Sequence, residues 1–572
     1  MVDEIKKLID SGRYFEAHNM AEEYCKKFPD DIRAQQLCGL AMSKSGARKA
    51  AIKYLEPLLE KHKKDPETAG ILGGVYKEEF KMTADSTYAR KSLETYLSNF
   101  EETKSPYTGI NAATMSQILG RGKTAREVAS QVINIAGVDD EFWAFATLGE
   151  AYLLLKDTEK ATEFYKKAAQ LGSRQYGKIG SIYAQLQILK HFIHVSEDII
   201  KMFAPPRIAV FAGHMIDNNR PSPRFPEEIA EQIKFAISNE LRTSKIRIGY
   251  SSLACGSDIL FVEALLELGG EANIFIPFAR EDFIKSSIDF AGSQWQERFE
   301  KIEATQKLNY ISTTRYDNAD TLFQFLAKII IGSGIIRSSL FSDQPYLLTV
   351  ASESDKSLKA GGTNSIRSIW PYLQNMININ PDLYLDPSTI NEDYNNAEIQ
   401  PAKTEDSKRI DKNIRYFVLA TVSHSDMDVK ATKIDEINRK VKDEFIEFPG
   451  NRHSGIEDDG IYGLYTKANY AMDFALRLLD WSVSRNVEVR IALEAVLMTT
   501  GDDPIKVIME TSSLKTIAFT DACYATMQFA AALSAEQPGR YDFHHVGIIS
   551  VGNIDEGQEI YKIDQRVKTA LM

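Results

Sequence analysis

Residues 208–226 read IAVFAGHMIDNNRPSPRFP, and their reading decides the fold of the middle of the chain. A short apolar run, IAVF, breaks off into small residues and then into a polar stretch with two arginines and three prolines. A second run, IRIGY (246–250), breaks off in the same way into SSLACGSDILF (251–261). Between and after them lie the helical patterns EEIAEQIKFAISNEL (227–241) and DILFVEALLELG (258–269), followed by ANIFIP (272–277). Strand, helix, strand, helix, strand is the order of a doubly wound parallel sheet, and ligands of such sheets bind beyond the carboxyl ends of the strands.

The residues at those ends are therefore the first candidates for a ligand site. Ser251, Ser252 and Gly256 are small enough for a ligand to approach the backbone, and the helix after Ser257 offers N–H groups and the positive end of its dipole to a phosphate. Asp258, in the first turn, is read as a ligand contact or as a cap of that helix. A further glycine-rich entry, LKAGGTNSIRSIW (358–370), sets Gly361, Gly362, Thr363 and Asn364 before another helix. Gly213 and His214 end the first strand, and His214, Arg220 and Arg224 are read as charge for a phosphate or a stack for a base. Glu263 is read as a ribose contact or a helix-surface carboxylate, Cys255 as packing, and Phe278 as a base-pocket or core aromatic.

These residues resemble the SLOG superfamily, the Rossmann-like group that includes the LOG nucleotide hydrolases. SSLACGSDILFVEAL is similar to its S-G-x-A-x-G-I-D helix entry, AGGT to its phosphate loop, and FAGH to its first-strand turn. The resemblance implies a nucleotide or nucleotide-derived ligand held by Gly213, Ser251, Ser252, Gly256, Asp258, Gly362 and Thr363. The last glycine of the phosphate loop is absent, and Ser365 and Ile366 stand where the hydrolases carry an acidic residue. Those departures weigh against hydrolysis more than against binding.

Toward the N-terminus, residues 1–200 read as helix after helix. In FWAFATLGEAYLLLKDTEKATEFYKKAAQLG (142–172), Leu148, Gly149 and Tyr152 face Ala161, Tyr165 and Ala168, the exchange of small and large residues that paired helices need. An all-α TPR-like solenoid is expected. GILGGVYK (70–77), YTGINAAT (107–114) and WAFATLGE (143–150) resemble the TRAF-binding region of the stress-activated MAP kinase kinase kinases. That resemblance implies a scaffold for protein assembly, with Asn111 and Trp143 read as helix-packing and turn positions rather than ligand contacts.

Residues 205–378 form the expected α/β Rossmann-like domain, 379–412 a linker rich in Asn, Asp and Pro, and 413–572 an α+β domain. The last resembles class III nucleotide cyclases in IEDDGIYGLYTKANYAMDFALRLLDW (456–481), VEVRIALEAVL (487–497) and residues 529–563. Cyclase chemistry needs two metal-binding carboxylates, and an Asn and an Arg that orient the ribose and stabilise charge on phosphate. Thr421 takes the first carboxylate position, Asp459 (beside Asp458) keeps the second or is a hairpin residue, and Gln528 and Ala532 replace Asn and Arg. A catalytically inactive cyclase-like domain for regulation or dimerisation is expected, with magnesium only if Asp459 retains a site.

The whole chain has 572 residues, more than one core can hold, and 44% hydrophobic and 26% charged residues. A net charge of −12, with no arginine-rich stripe, argues against a nucleic-acid-binding surface of clustered Lys and Arg. Four cysteines without metal-ligand spacing fit a reducing compartment, and no signal peptide or membrane-spanning run is read, so the expected location is cytoplasmic. The reading is a signalling sensor with a nucleotide-type ligand, a protein partner on the repeats and a homo-oligomer as one option. The alternatives are a nucleotide-processing enzyme and a ligand-free scaffold.

Overall fold

The computed structural model describes residues 1–136, 141–172, 176–217, 223–316, 320–341, 343–353, 362–385, 412–423, 435–436, 439, 451–457, 460–485, 487–499, 502, 522–551 and 554–566. The chain forms two compact units, Met1–Pro205 with His544–Met572, and Pro206–Phe543.

In the first unit, helices run from Val2–Asp10 to Glu197–Phe203, each packed on the next. Their starts follow from short polar caps: Asp65 accepts from Thr68 N at 2.7 Å with Pro66 at the first helical position, and Asp31 accepts from Ala34 N at 3.0 Å. Large residues of one helix lie on glycines of its neighbour. The ring of Tyr165 would meet a Cβ at Gly149 at 2.9 Å, and Tyr96 does the same at Gly73 at 2.7 Å. Ala161, Tyr165 and Ala168 are buried as expected for the pair Glu141–Leu154 and Thr158–Gly172. This part is a helical TPR-like repeat. The end of the chain joins the same unit, where Ile548 N–H donates to Gly12 O at 2.9 Å.

The second unit holds two sheets. β1 (Arg207–Gly213), β2 (Ile246–Ser251), β3 (Glu271–Ile276), β4 (Leu308–Tyr310), β5 (Tyr346–Val350) and β6 (Met376–Ile379) lie in the order β4-β3-β2-β1-β5-β6, parallel throughout. The chain builds outward from β1 on one side and then crosses to the other. Alternation along the strands assigns the two faces: Gly249 lies under Phe261 and Leu265 of helix Ser257–Glu267, and Val210 lies against Gly334 of helix Thr321–Ser339.

In the second sheet β7 (Lys412–Ser423) pairs antiparallel with β9 (Gly460–Tyr465) and along its whole length with β10 (Glu488–Thr499). β8 (Asn451–Glu457) flanks β9, and β11 (Ala522–Thr526) runs parallel to β10. Helices Ala468–Ser484 and Met527–Glu536 cover it.

Helix Thr321–Ser339 packs on the first sheet and on helix Met527–Glu536, so it ties both sheets together. Among the described residues it alone has the length and apolarity of a membrane span, which the sequence reading did not credit to any segment. Two thirds of that window is buried inside the protein, which accounts for its composition as that of a core helix. The crossing is closest at Gly332, where a Cβ would stand 1.8 Å from Ala531 O. Lys328 Nζ pairs with Glu536 Oε1 at 2.7 Å beside it.

Gly332→Ala must push the two helices apart and is expected to cost about 1–3 kcal/mol, seen as a lowered thermal midpoint by circular dichroism. Gly180→Ala, in a helix with nothing within 4 Å of the added Cβ, should instead leave the midpoint unchanged or raise it.

Candidate functional site

The parallel sheet reverses its direction of growth between β1 and β5, and the ends of these two strands are joined by a buried histidine. His214 N–H donates to Val350 O at 3.0 Å, and the ring Nε2 accepts from Ser352 N at 3.0 Å. A backbone donor on Nε2 assigns the proton of a neutral ring to Nδ1. His214 O accepts twice from one residue, Ser257 N at 3.1 Å and Ser257 Oγ at 2.7 Å. His214 thus binds the ends of β1 and β5 to the start of helix Ser257–Glu267, and its ring acceptor and carbonyl are already engaged there.

The small residues have a related cause. A Cβ at Gly213 would meet Ser257 Oγ at 2.0 Å, and one at Gly256 would meet Ile216 N at 2.7 Å and His214 O at 3.0 Å. Gly256 also has a φ of +91°, which other residues rarely adopt. The turn at Gly256 therefore touches the backbone after β1, and the Ser257 side chain fills the space beside Gly213, which accounts for both glycines. Ser251 is buried at the end of β2, whereas Ser252 is half-buried. Cys255 is buried, with its N–H on Ser287 O at 2.9 Å and its thiol pushed up to about 12 by burial.

Asp258 stands in the first turn of the same helix. Burial pushes its carboxyl up to about 7, against the backbone N–H groups of Ala254 (3.3 Å) and Gly213, which favour the charged form. It is both a cap of the turn and a titratable group at the strand ends. Helix Thr363–Ile369, led by Gly362, packs against β1 and β5, so Gly362, Thr363 and Asn364 come to the same edge. Thr363 is buried there.

Two residues of this edge carry no glycine signal and were not anticipated. Ser352, just past β5, donates through Oγ to Asp382 Oδ2 at 2.7 Å, which brings a second carboxylate to this edge. A strand end marked by Ala and Ser looks like any other loop in the sequence.

The remaining expected residues lie elsewhere or outside the described residues. Arg224 and Phe225 are held by Asp217: Oδ2 accepts from Arg224 N (2.6 Å) and Phe225 N (2.8 Å). Glu263 is engaged by Arg298 through both carboxylate oxygens, at 2.8 and 2.5 Å, and by Lys234 at 3.0 Å. That pairing belongs to the helical layer and leaves Glu263 its helix-surface role. Phe278 is a core aromatic stacked on Tyr316 at 4.5 Å. Arg220, Gly361, Asp458 and Asp459 lie outside the described residues. In the second sheet, Thr421 pairs with Gly460 and Arg490, Gln528 Nε2 donates to Ile311 O at 3.2 Å, and Ala532 is buried. Among the described residues no group of three or more His, Cys, Asp or Glu side chains is placed to hold a metal.

Comparison with known proteins bears on the first unit. Residues 13–116 match the family model described as Tetratricopeptide Repeats-Sensor. No curated protein matches the chain. Among solved structures, the chain is similar to a thermophilic TPR protein of Thermus thermophilus, at 17% identity over 32% of this chain and 96% of that one, with a TM-score of 0.28. It is also similar to a tetratricopeptide repeat protein of Parabacteroides merdae (11% identity, 46% of this chain, 96% of that one, TM-score 0.24). A third is an adenylate/guanylate cyclase/hydrolase of Silicibacter pomeroyi (14% identity, 27% of this chain, 97% of that one, TM-score 0.23).

The raised Asp258 carboxyl has a pH consequence. Its folded-state value lies above the ordinary one, so its contribution to stability is full below about pH 4 and is lost as pH rises through about 7. Asp258→Asn removes that loss. From pH 5 to pH 8 the variant should gain about 1 kcal/mol or more on the parent protein in urea melts.

Proposed function

We propose that the protein is a ligand sensor, in which a SLOG-like, Rossmann-like domain binds a nucleotide or nucleotide-derived ligand over the ends of β1, β2 and β5. The observation that carries this reading is the strand order. The sheet reverses at β1 and β5, and at that reversal stand Ser252, Asp258, Ser352 and the Gly362–Asn364 entry. Open parallel sheets take their ligands at this position. Gly213, Gly256 and His214 act as the frame of the site, since their small size and hydrogen bonds serve the contact between the turns.

In this reading the TPR-like repeat recruits a protein partner. The second sheet is a cyclase-homology domain without cyclase activity. Gln528 spends its amide on Ile311 O, and Ala532, buried beside the helix crossing, has no group to offer a phosphate. The protein acts in the cytoplasm.

One observation favours an enzyme as the second reading. A carboxyl titrating at about 7 beside the strand ends is suited to general acid–base work. Hydrolysis of an N-glycosidic or phosphoribosyl bond with Asp258 as the proton carrier is that alternative.

The test is a thermal-shift series on the full chain with AMP, NAD and cyclic AMP. At a hundredfold excess over its Kd, a true ligand adds about 2.7 kcal/mol. Ser252→Asp, which sets a carboxylate at the half-buried mouth without touching the glycine contacts, should abolish the shift. A shift without product by chromatography supports the sensor, and product lost in Asp258→Asn supports the enzyme. No shift with any of the three compounds removes both readings.

A further inference from the structure

The repeat unit carries a second cluster of polar and charged side chains, remote in sequence from the strand ends. Four helices contribute to it: Pro66–Thr83, Pro106–Ile118, Glu141–Leu154 and Tyr176–Leu189. Lys77 Nζ donates to Gln185 Oε1 at 2.8 Å and lies 3.4 Å from Asn111 Oδ1. Glu150 Oε1 accepts from Gln185 Nε2 at 2.7 Å and from the Thr114 hydroxyl. The Gln185 amide is thus interposed between an ammonium and a carboxylate.

This arrangement is costly as a mere prop. Burial pulls the Lys77 ammonium down to about 8 and pushes the Glu150 carboxyl up, so desolvation outweighs the attraction between them. Yet Lys77, Asn111, Glu150 and Gln185 are only half-buried, so the cluster opens to the surface. Lys77 has three N–H bonds and two protein acceptors, which leaves one donor for a ligand.

The same helix faces carry two exposed aromatics. Tyr107 lies one turn before Asn111 and two before Thr114, and Trp143 lies two turns before Glu150. They are 49% and 43% exposed, and Tyr107 rests on Gly70, where a Cβ would meet its ring at 2.1 Å. Seven helical residues separate Tyr107 from Thr114 and Trp143 from Glu150, about 10 Å, with Asn111 between. Trp143 also packs edge-on against Phe142, with ring centroids 5.0 Å apart.

We propose that this face of the repeat is a binding site for a small ring-bearing organic anion about 10 Å long, its ring on Trp143 and Tyr107 and its anionic group on Lys77. A phosphate or a carboxylate would serve as that group; the Asn111 amide already donates to Tyr107 O at 2.9 Å and the Gln185 amide to Glu150, which leaves each one further N–H for it. The site stands apart from the strand-end crevice and does not rest on that reading.

Isothermal titration of the full chain in a Ser252→Asp background, which silences the strand-end site, tests it. AMP serves as the phosphate probe and 4-phenylbutyrate as the carboxylate probe. Saturable binding of either, weakened at least tenfold by Lys77→Met, supports the site, and the probe that binds identifies the anion. No saturable binding of either probe, or binding unchanged by Lys77→Met, overturns it. Should Lys77→Met fail to fold, Trp143→Ala carries the same test, because an exposed side chain is not needed for folding.

Discussion

The second unit depends on how closely two turns can meet. The chain leaving β2 meets the backbone of the chain leaving β1 at Gly256, and the Ser257 side chain lies on Gly213, so neither glycine has room for a Cβ. Because the two chains meet, Ser257 reaches His214 O, and the His214 ring can then reach the amide after β5. Three strand ends and one helix start are fixed by this single approach. The position of Asp258 is a consequence, since its carboxyl is held over the same turn by backbone N–H groups. Desolvation there follows from the packing, and the raised carboxyl is the chemical result of a steric constraint.

This constraint also explains what the sequence could and could not reveal. The alternation of apolar runs and helical patterns was legible because the burial of a parallel sheet leaves a periodic mark. The break into small residues was legible as well, but its cause was ambiguous. A glycine needed for a ligand and a glycine needed for a neighbouring backbone look alike in a string of letters. Ser352 and Asp382 were invisible because their partnership is made across 30 residues by the pairing of β5 and β6. The partners of Glu263, Arg298 and Lys234, were equally hidden, since they are distant in sequence and close only after the helices pack.

The second sheet shows the same limit at a helix crossing. Gln528 and Ala532 were identified by alignment with catalytic positions, yet what surrounds them comes from another part of the unit. Ala531 lies on Gly332, Gln528 donates to Ile311 O, and Glu536 pairs with Lys328. A helix committed in this way has exchanged polar reach for close packing. The apolar run Thr321–Ser339 makes sense in that light, because a helix covered by a sheet on one side and a helix on the other keeps few polar positions.

The repeat unit solved its packing differently and with a different chemical outcome. Its glycines, too, are set under large residues, Gly149 under Tyr165 and Gly73 under Tyr96. Those contacts consume the faces between paired helices and leave the faces shared by Lys77, Asn111, Glu150 and Gln185 to polar side chains. Beyond the strand ends a carboxyl is raised by burial, against the backbone N–H groups that favour its charged form. In the repeat a carboxyl and an ammonium are both weakened because burial strips them of water, although the Gln185 amide between them favours the charged carboxylate. A direct ion pair would have been the cheaper way to hold helices together, and apolar residues often cheaper still. That the chain keeps neither is the physical reason to regard the repeat as a surface that recognises something, in addition to a stack of helices that supports itself.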